Sequence, residues 1–206
     1  MHRFLSPQIE FWISGERPFE PFPFDTPLSL LEWGLNWCIG RTCNHLLLLH
    51  AGVAALGSQA VVLPALPASG KSTLTAALML RGWRLLSDEF GATRMGDGRI
   101  VPTPRPIALK NASIEVIRSF ASEAVIGPPF PKTRKGTVAH LAPNRRAVEG
   151  IYETAFPRLI VFPNYEAGAE VAIEAIPKSR AMLKLAANSF NYELLGPPAS
   201  VCSNKS

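Results

Sequence analysis

The sequence predicts a mixed α/β domain, a strand-rich sheet with flanking helices, on three observations. The chain has 206 residues, 47% of them hydrophobic, which is enough for one full core. Apolar runs of strand length alternate with segments of helical periodicity from residue 46 to residue 192. Between two of them, Val61-Val62-Leu63-Pro64-Ala65-Leu66-Pro67-Ala68-Ser69-Gly70-Lys71-Ser72-Thr73 passes from a buried strand through a turn of small residues into an amphipathic helix. That arrangement leaves the unpaired N–H groups of a helix start pointing outward, where an anion can bind.

Taken in order, residues 1–26 are rich in aromatics and proline, and they predict one strand around Ile9 to Ile13 followed by irregular chain, because prolines break a hydrogen-bonded ladder. Thr26 before Pro27 reads as an N-cap and first helical residue, opening an apolar helix to about Ile39 whose role is packing. These residues, 1–43, form a preface packed on the core; 44–195 form the main domain and 196–206 a frayed tail. Residues 46–69 carry no Asp, Glu, Lys or Arg and are long enough to suggest a membrane span. The turn signal Gly57-Ser58-Gln59 and the prolines at 64 and 67 make them two strands of a hairpin instead, and no membrane association is expected.

The helix after Lys71 places Leu74, Ala77, Leu78 and Met79 on one face and stops at Arg81-Gly82. A strand over Trp83 to Leu86 then delivers Ser87-Asp88-Glu89 at its tip. Gly96-Asp97-Gly98 predicts a hairpin turn between Thr93–Met95 and Arg99–Val101. Prolines alternate with Thr103 and Arg105 before a strand at Ile107 to Lys110, and Asn111 or Ser113 caps a helix through Phe120. Residues 127–134 read as a loop which, with Lys132, Arg134 and Lys135, makes a basic lid or substrate loop. Strands follow at 137–141, 157–163 and 171–176, and a helix at 178–192, with Asn188 and Asn191 read as helix-end caps and His140 as a structural histidine.

The formal charge of +5 is scattered, with no basic stripe interleaved with aromatics, so no nucleic-acid partner is expected. Cys38, Cys43 and Cys202 have no metal-ligand spacing, and their odd number argues against a disulfide framework. A reducing cytoplasm is the expected compartment, and the first residues lack the apolar core of a signal peptide.

The loop approximates Gly-x-x-x-x-Gly-Lys-Ser/Thr, with Ala65 at the first glycine and Pro67 removing one N–H. Ala68, Ser69, Gly70, Lys71, Ser72 and Thr73 would cradle phosphates, with Lys71 as a point charge and the Ser72 hydroxyl on Mg²⁺. Acids at a neighbouring strand tip serve a metal ion and a reacting hydroxyl alike.

The order of these motifs resembles the catalytic domain of HPr kinase/phosphorylase, and more closely the HPr-kinase-related kinase A group of bacterial proteins. His50-Ala51-Gly52-Val53 looks like the family's His-Gly-Val, Ser69-Gly70-Lys71-Ser72 like its phosphate loop, and Arg81-Gly82-Trp83-Arg84-Leu85-Leu86-Ser87-Asp88-Glu89 like its strand ending in two acids. Pro104 to Asn111, Gly136 to Pro143 and Asn188 to Tyr192 look like the related group. The second Asp of the family is Glu89 here, Thr73 replaces a Glu, and the Arg-Gly-Leu-Gly signature associated with phosphorolysis is not found.

The resemblance implies a P-loop kinase domain of the HPr kinase type. It implies a kinase without strong phosphorylase activity that uses ATP and Mg²⁺ on a Ser or Thr hydroxyl of a small protein or peptide, such as a biosynthetic precursor peptide. Its oligomeric relatives leave a homo-oligomer open. In that reading Asp88 is the base, His50 its orienting neighbour and Lys71 the phosphate ligand. Ser72, Asp88 and Glu89 serve the metal, and Arg105, Lys110, Lys132 and Arg134 meet the substrate. The alternative, motivated by Ala65 and Pro67, is a catalytically degenerate nucleotide-binding module that regulates or scaffolds a partner.

Overall fold

The computed structural model describes residues 7–133 and 135–196. It is a mixed α/β protein whose multi-strand sheet carries flanking helices. The organising strand is β3, Leu46–Leu56, which runs through the core with only its ends and His50 reaching solvent. Its C-terminal half pairs antiparallel with β4, Gln59–Pro64, through the expected turn at Gly57, and on the other side with β5, Arg84–Ser87. Its N-terminal half pairs with β6, Phe90–Arg94, so one strand carries three partners by switching at His50. The edge strand β10, Phe156–Ile160, adds parallel to β4 with a bulge between Pro157 and Leu159, which is where a proline is tolerated.

A second sheet, order β7-β9-β8, is antiparallel: β7 is Ile107–Lys110, β8 Phe130–Thr133 and β9 Gly136–Leu141. Two helices, α2 (Lys71–Leu80) and α3 (Ala112–Phe120), cover it, and the core between them holds Ala76, Met79, Ile107, Leu109, Ile114, Ile117 and Leu141. The N-terminal preface contributes β1 (Gln8–Ile9), β2 (Phe22–Pro23) and α1 (Pro27–Thr42). Gly34 of α1 is required by packing, since a Cβ there would sit 2.2 Å from the Phe11 ring. Short α4 (Arg145–Glu149), α5 (Lys178–Ala187) and α6 (Tyr192–Leu195) complete the order.

Several expectations are corrected. The strand at Ile9 to Ile13 shrinks to Gln8–Ile9 plus an isolated bridge from Ile13 to Glu16. Thr26 stands at the N-cap, but its hydroxyl donates back to Pro23 O at 2.9 Å rather than into the helix. The loop expected at 127–134 contains β8, an edge strand that accommodates Pro131 because its unpaired side needs no N–H. The second strand of the 96–98 hairpin is reduced to bridges made by Ile100, which is shared between Thr93 and Ala155. Residues 171–176 form no strand: Val171 and Ile173 are 96% and 95% exposed, and among the described residues no neighbouring strand completes the alternation. The helix at 178–192 breaks at 188–191, for a reason given below. The tail at 197–206, with Cys202, lies outside the described residues, as do Arg134 and the side chain of Lys132. Among the described residues no helix is long and apolar enough to cross a membrane.

Candidate functional site

The phosphate-type loop connects β4 to α2. At its first glycine position Ala65 is buried, and the backbone needs no glycine there, because the left-handed residues of the loop are Ala68 (φ 69°) and Gly70 (φ 84°). Alanine in that region costs on the order of 1 kcal/mol, which the loop absorbs. Ser69 Oγ donates to Leu66 O at 2.8 Å and closes the turn, while Tyr165 N donates to Ser69 O at 3.2 Å. A Cβ on Gly70 would stand 3.0 Å from that of Tyr165. The start of α2 has no side-chain cap and no acidic residue in its first turn, so its free N–H groups and positive dipole end at Ser72 and Thr73 are not compensated within the helix.

Gly52 explains how α2 comes so close to β3. A Cβ on Gly52 would meet Thr75 Oγ1 at 2.0 Å and Lys71 Cγ at 3.5 Å. Thr75 is fully buried and donates to Lys71 O at 2.9 Å, which fixes the turn that carries the lysine. Lys71 is therefore pinned under the sheet. Burial lowers its pKa, and the charges of Asp88 and Glu89 oppose that shift.

Asp88 follows β5 and faces this lysine. Burial pushes its pKa up to about 7, against Lys71 and a hydrogen bond from Ser72, which pull it down. Its Oδ1 is buried with no hydrogen-bond partner among the described residues. A carboxyl poised near neutrality beside a phosphate-type loop is able to accept a proton at physiological pH. Glu89 lines the same cavity as Asp88 and has Oε1 3.7 Å from His50 Nε2. His50 is held below its usual pKa by burial and by Lys71, with Glu89 opposing. No hydrogen bond or ion pair joins His50 to Asp88 among the described residues, so the partner expected for His50 is replaced by Glu89.

His50 is itself placed by the C-terminal segment. Its N–H donates to Asn188 O at 2.6 Å, and its ring meets Phe190 edge-on at 5.5 Å. Residues 188–191 lie along the half of β3 that β4 does not cover. There Asn191 Oδ1 accepts from Leu48 N at 2.9 Å, and Nδ2 donates to Leu46 O at 2.8 Å. Asn188 caps α5 through Nδ2 to Lys184 O, and Asn191 stands at the N-cap position of α6, but its side chain makes no cap bond there and instead substitutes for a missing strand beside β3. That job breaks the helix expected through Tyr192.

Opposite Asp88, α1 roofs a cavity of about 120 Å³ whose walls include Leu28, Leu31, Leu35, Asp88, Arg105 and His140. Arg105 Nη2 donates to Asn36 Oδ1 at 2.7 Å, leaving Nη1 buried and unpaired. His140 Nε2 meets Glu32 Oε2 at 3.2 Å, leaving Nδ1 buried and unpaired. Burial acts to raise the pKa of Glu32, but the hydrogen bond and charge of His140, with Lys135 and Lys110, outweigh it and hold the carboxyl below its usual value. Three unpaired buried atoms around one cavity are costly, about 1–3 kcal/mol each. A second cavity of about 210 Å³ shares Glu32 and Ala108 with the first and reaches Trp33, Lys110 and Lys135.

The structure thus brings Lys71, Ser72, Asp88 and Glu89 together with His50, and sets Arg105 across the cleft and Lys110 further along it. Glu32, Asn36 and His140 were not readable as site residues, because each earns its position only through a helix more than 65 residues distant in sequence from its partner. Arg84, part of the family-like motif, serves the fold: buried, it donates to Gly150 O at 3.0 Å and Glu153 O at 2.8 Å. Among the described residues no cluster of three or more His, Cys, Asp or Glu could hold a metal ion. A hydroxyl with one or two carboxylates, as at Ser72, Asp88 and Glu89, is instead the donor set used for magnesium that keeps water and phosphate oxygens as its remaining ligands. Comparison with protein-family models, curated proteins and solved structures finds no match for the chain.

Proposed function

We propose that this is an ATP-dependent kinase with a P-loop domain of the HPr kinase type, acting with Mg²⁺ on a Ser or Thr hydroxyl of a small protein or peptide. The observation that carries the proposal is Asp88, a carboxyl with one unpaired buried oxygen and a pKa near 7, beside an uncapped helix start that presents Lys71 and Ser72. Bound ATP supplies the γ-phosphoryl group. The chain supplies position and charge: N–H groups from Gly70 to Thr73 hold phosphate oxygens, while that of Ser69 donates to Leu66 O within the turn, and Lys71 neutralises them without a proton transfer. Ser72 and Glu89 are the better ligands for the metal, which leaves Asp88 to accept the proton of the attacking hydroxyl. His50, paired with Glu89, keeps that carboxylate oriented.

The test is a thermal melt with and without Mg²⁺ and ATP. A rise in Tm that Lys71→Ala abolishes supports the loop as the nucleotide site, whereas no rise at millimolar ATP removes the proposal. A rise without transfer of labelled phosphate to any Ser or Thr peptide would favour a degenerate nucleotide-binding module.

A further inference from the structure

We propose that the channel beneath α1 is the acceptor site and that it takes an extended Ser- or Thr-containing peptide with acidic side chains beside the acceptor residue. The inference rests on the kinase reading and adds to it the place and the chemistry of the acceptor.

Two observations carry it. First, three of the buried polar atoms without partners among the described residues belong to side chains that wall the small cavity: Asp88 Oδ1, Arg105 Nη1 and His140 Nδ1. Their hydrogen-bonding character is mixed. Asp88 Oδ1 is an acceptor and Arg105 Nη1 a donor, and His140 Nδ1 is left over by the pairing of Nε2 with Glu32. The complement is a ligand that offers both donors and an acceptor within one residue. A seryl or threonyl residue has this set in its hydroxyl, its backbone N–H and its carbonyl. The leucines of α1 at 28, 31 and 35 supply an apolar wall, and a volume of about 120 Å³ suits one such residue rather than a folded surface.

Second, another cavity adjoins the first. The larger cavity shares the Glu32 and Ala108 walls and carries Lys110 and Lys135 with the aromatic faces of Phe22 and Trp33, and Lys135 Nζ stands 5.5 Å from the Trp33 ring. Glu32 is already paired with His140, so the two ammonium groups are the charge left to meet a ligand. An acidic side chain on the residues next to the acceptor fits that end. The preface, expected only to pack, is then the roof of the acceptor site, with Glu32 and Asn36 as positioning residues for His140 and Arg105.

In the transfer, the hydroxyl oxygen forms the new bond to phosphorus as the bond to the leaving ADP oxygen breaks, and the hydroxyl proton passes to Asp88. The experiment compares three synthetic peptides of one sequence around a single Ser, with Asp, Asn or Lys at the flanking positions, on the full chain with Mg²⁺ and ATP. The expected kcat/KM favours the Asp peptide over the Asn peptide about tenfold. In Lys110→Glu/Lys135→Glu that ratio inverts, and the Lys peptide becomes the best of the three. Equal rates for all three peptides with the unaltered chain, or a ratio that the double charge reversal leaves in place, would overturn the inference. As a second arm, His140→Phe keeps the ring volume and loses the unpaired ring nitrogen, and it should raise the peptide KM at least fivefold. If the melt shows no effect of ATP, the kinase reading itself has failed. If ATP raises Tm and is slowly hydrolysed but the three peptides are phosphorylated alike, only the acceptor assignment has.

Discussion

The two walls of the cleft are built in opposite ways. The wall of Lys71, Ser72 and Asp88 comes from residues 59–89, a hairpin return, a turn, a helix and a strand that follow one another in the chain. The α1 wall comes from Glu32 bonded to His140 and Asn36 bonded to Arg105, pairs separated by 108 and 69 residues. The first wall is fixed by local geometry, the second by packing between remote elements. Damage to the first should therefore show in chemistry, and damage that loosens the elements between the walls should show in stability.

The sharpest break is Asp88→Asn, which removes the proposed base while keeping the shape. Transfer to the peptide should fall about 10²- to 10⁴-fold, with the ATP-dependent rise in Tm retained. The same residue sets a pH profile. Because its pKa is raised to about 7, kcat/KM should climb with pH up to about 7 and then level. Stability should run the other way. Between the ordinary carboxylate range and about 7 the unfolded chain has lost this proton and the folded chain keeps it, so the group's contribution to folding declines as pH rises through that window. A chemical melt of the unaltered chain against Asp88→Asn at pH 5 and pH 8 measures the difference. A smaller gap between the two proteins at pH 5 than at pH 8 is the expected result.

Next in size is Asn191→Ala, which strips two hydrogen bonds from β3 and leaves the buried Leu48 N–H without a partner. A loss of about 2–3 kcal/mol in urea denaturation is expected. Gly52→Ala tests the contact between β3 and α2. The new methyl would overlap Thr75 Oγ1, so the helix must shift, at about 1–3 kcal/mol, and ATP binding should weaken with it because Lys71 rides on the same turn. The smallest expected effect is a gain: Ala68→Gly relieves a left-handed alanine, and urea denaturation should show a stabilisation of about 0.5 kcal/mol, the strain relief outweighing the added freedom of the unfolded chain.

The legible part of the site is the contiguous part. The hairpin at Gly57, the loop into Lys71, the helix stop at Arg81-Gly82 and the acids after Leu86 all stand where residue pattern put them, because turn chemistry and periodicity act over a few residues. The misreadings have a common cause. Residues 171–176 alternate like a strand, but a strand exists only where a neighbour supplies the ladder, and none lies beside it among the described residues. Phe130–Thr133 reads as a loop for its prolines, yet becomes a strand because β9 offers it an edge. Asn191 looks like a helix cap until the uncovered half of β3 gives its amide two backbone partners.

By itself, then, the chain determined a β-loop-α unit with a lysine at the helix start and acids at the next strand tip, since each of those follows from residue types and spacing within a single supersecondary unit. What the tertiary structure decided is which atoms are left without partners. Asp88 has its pKa raised toward neutrality, and α1 becomes the roof of a cavity, only because folding buries those groups together in a place where water no longer competes for them.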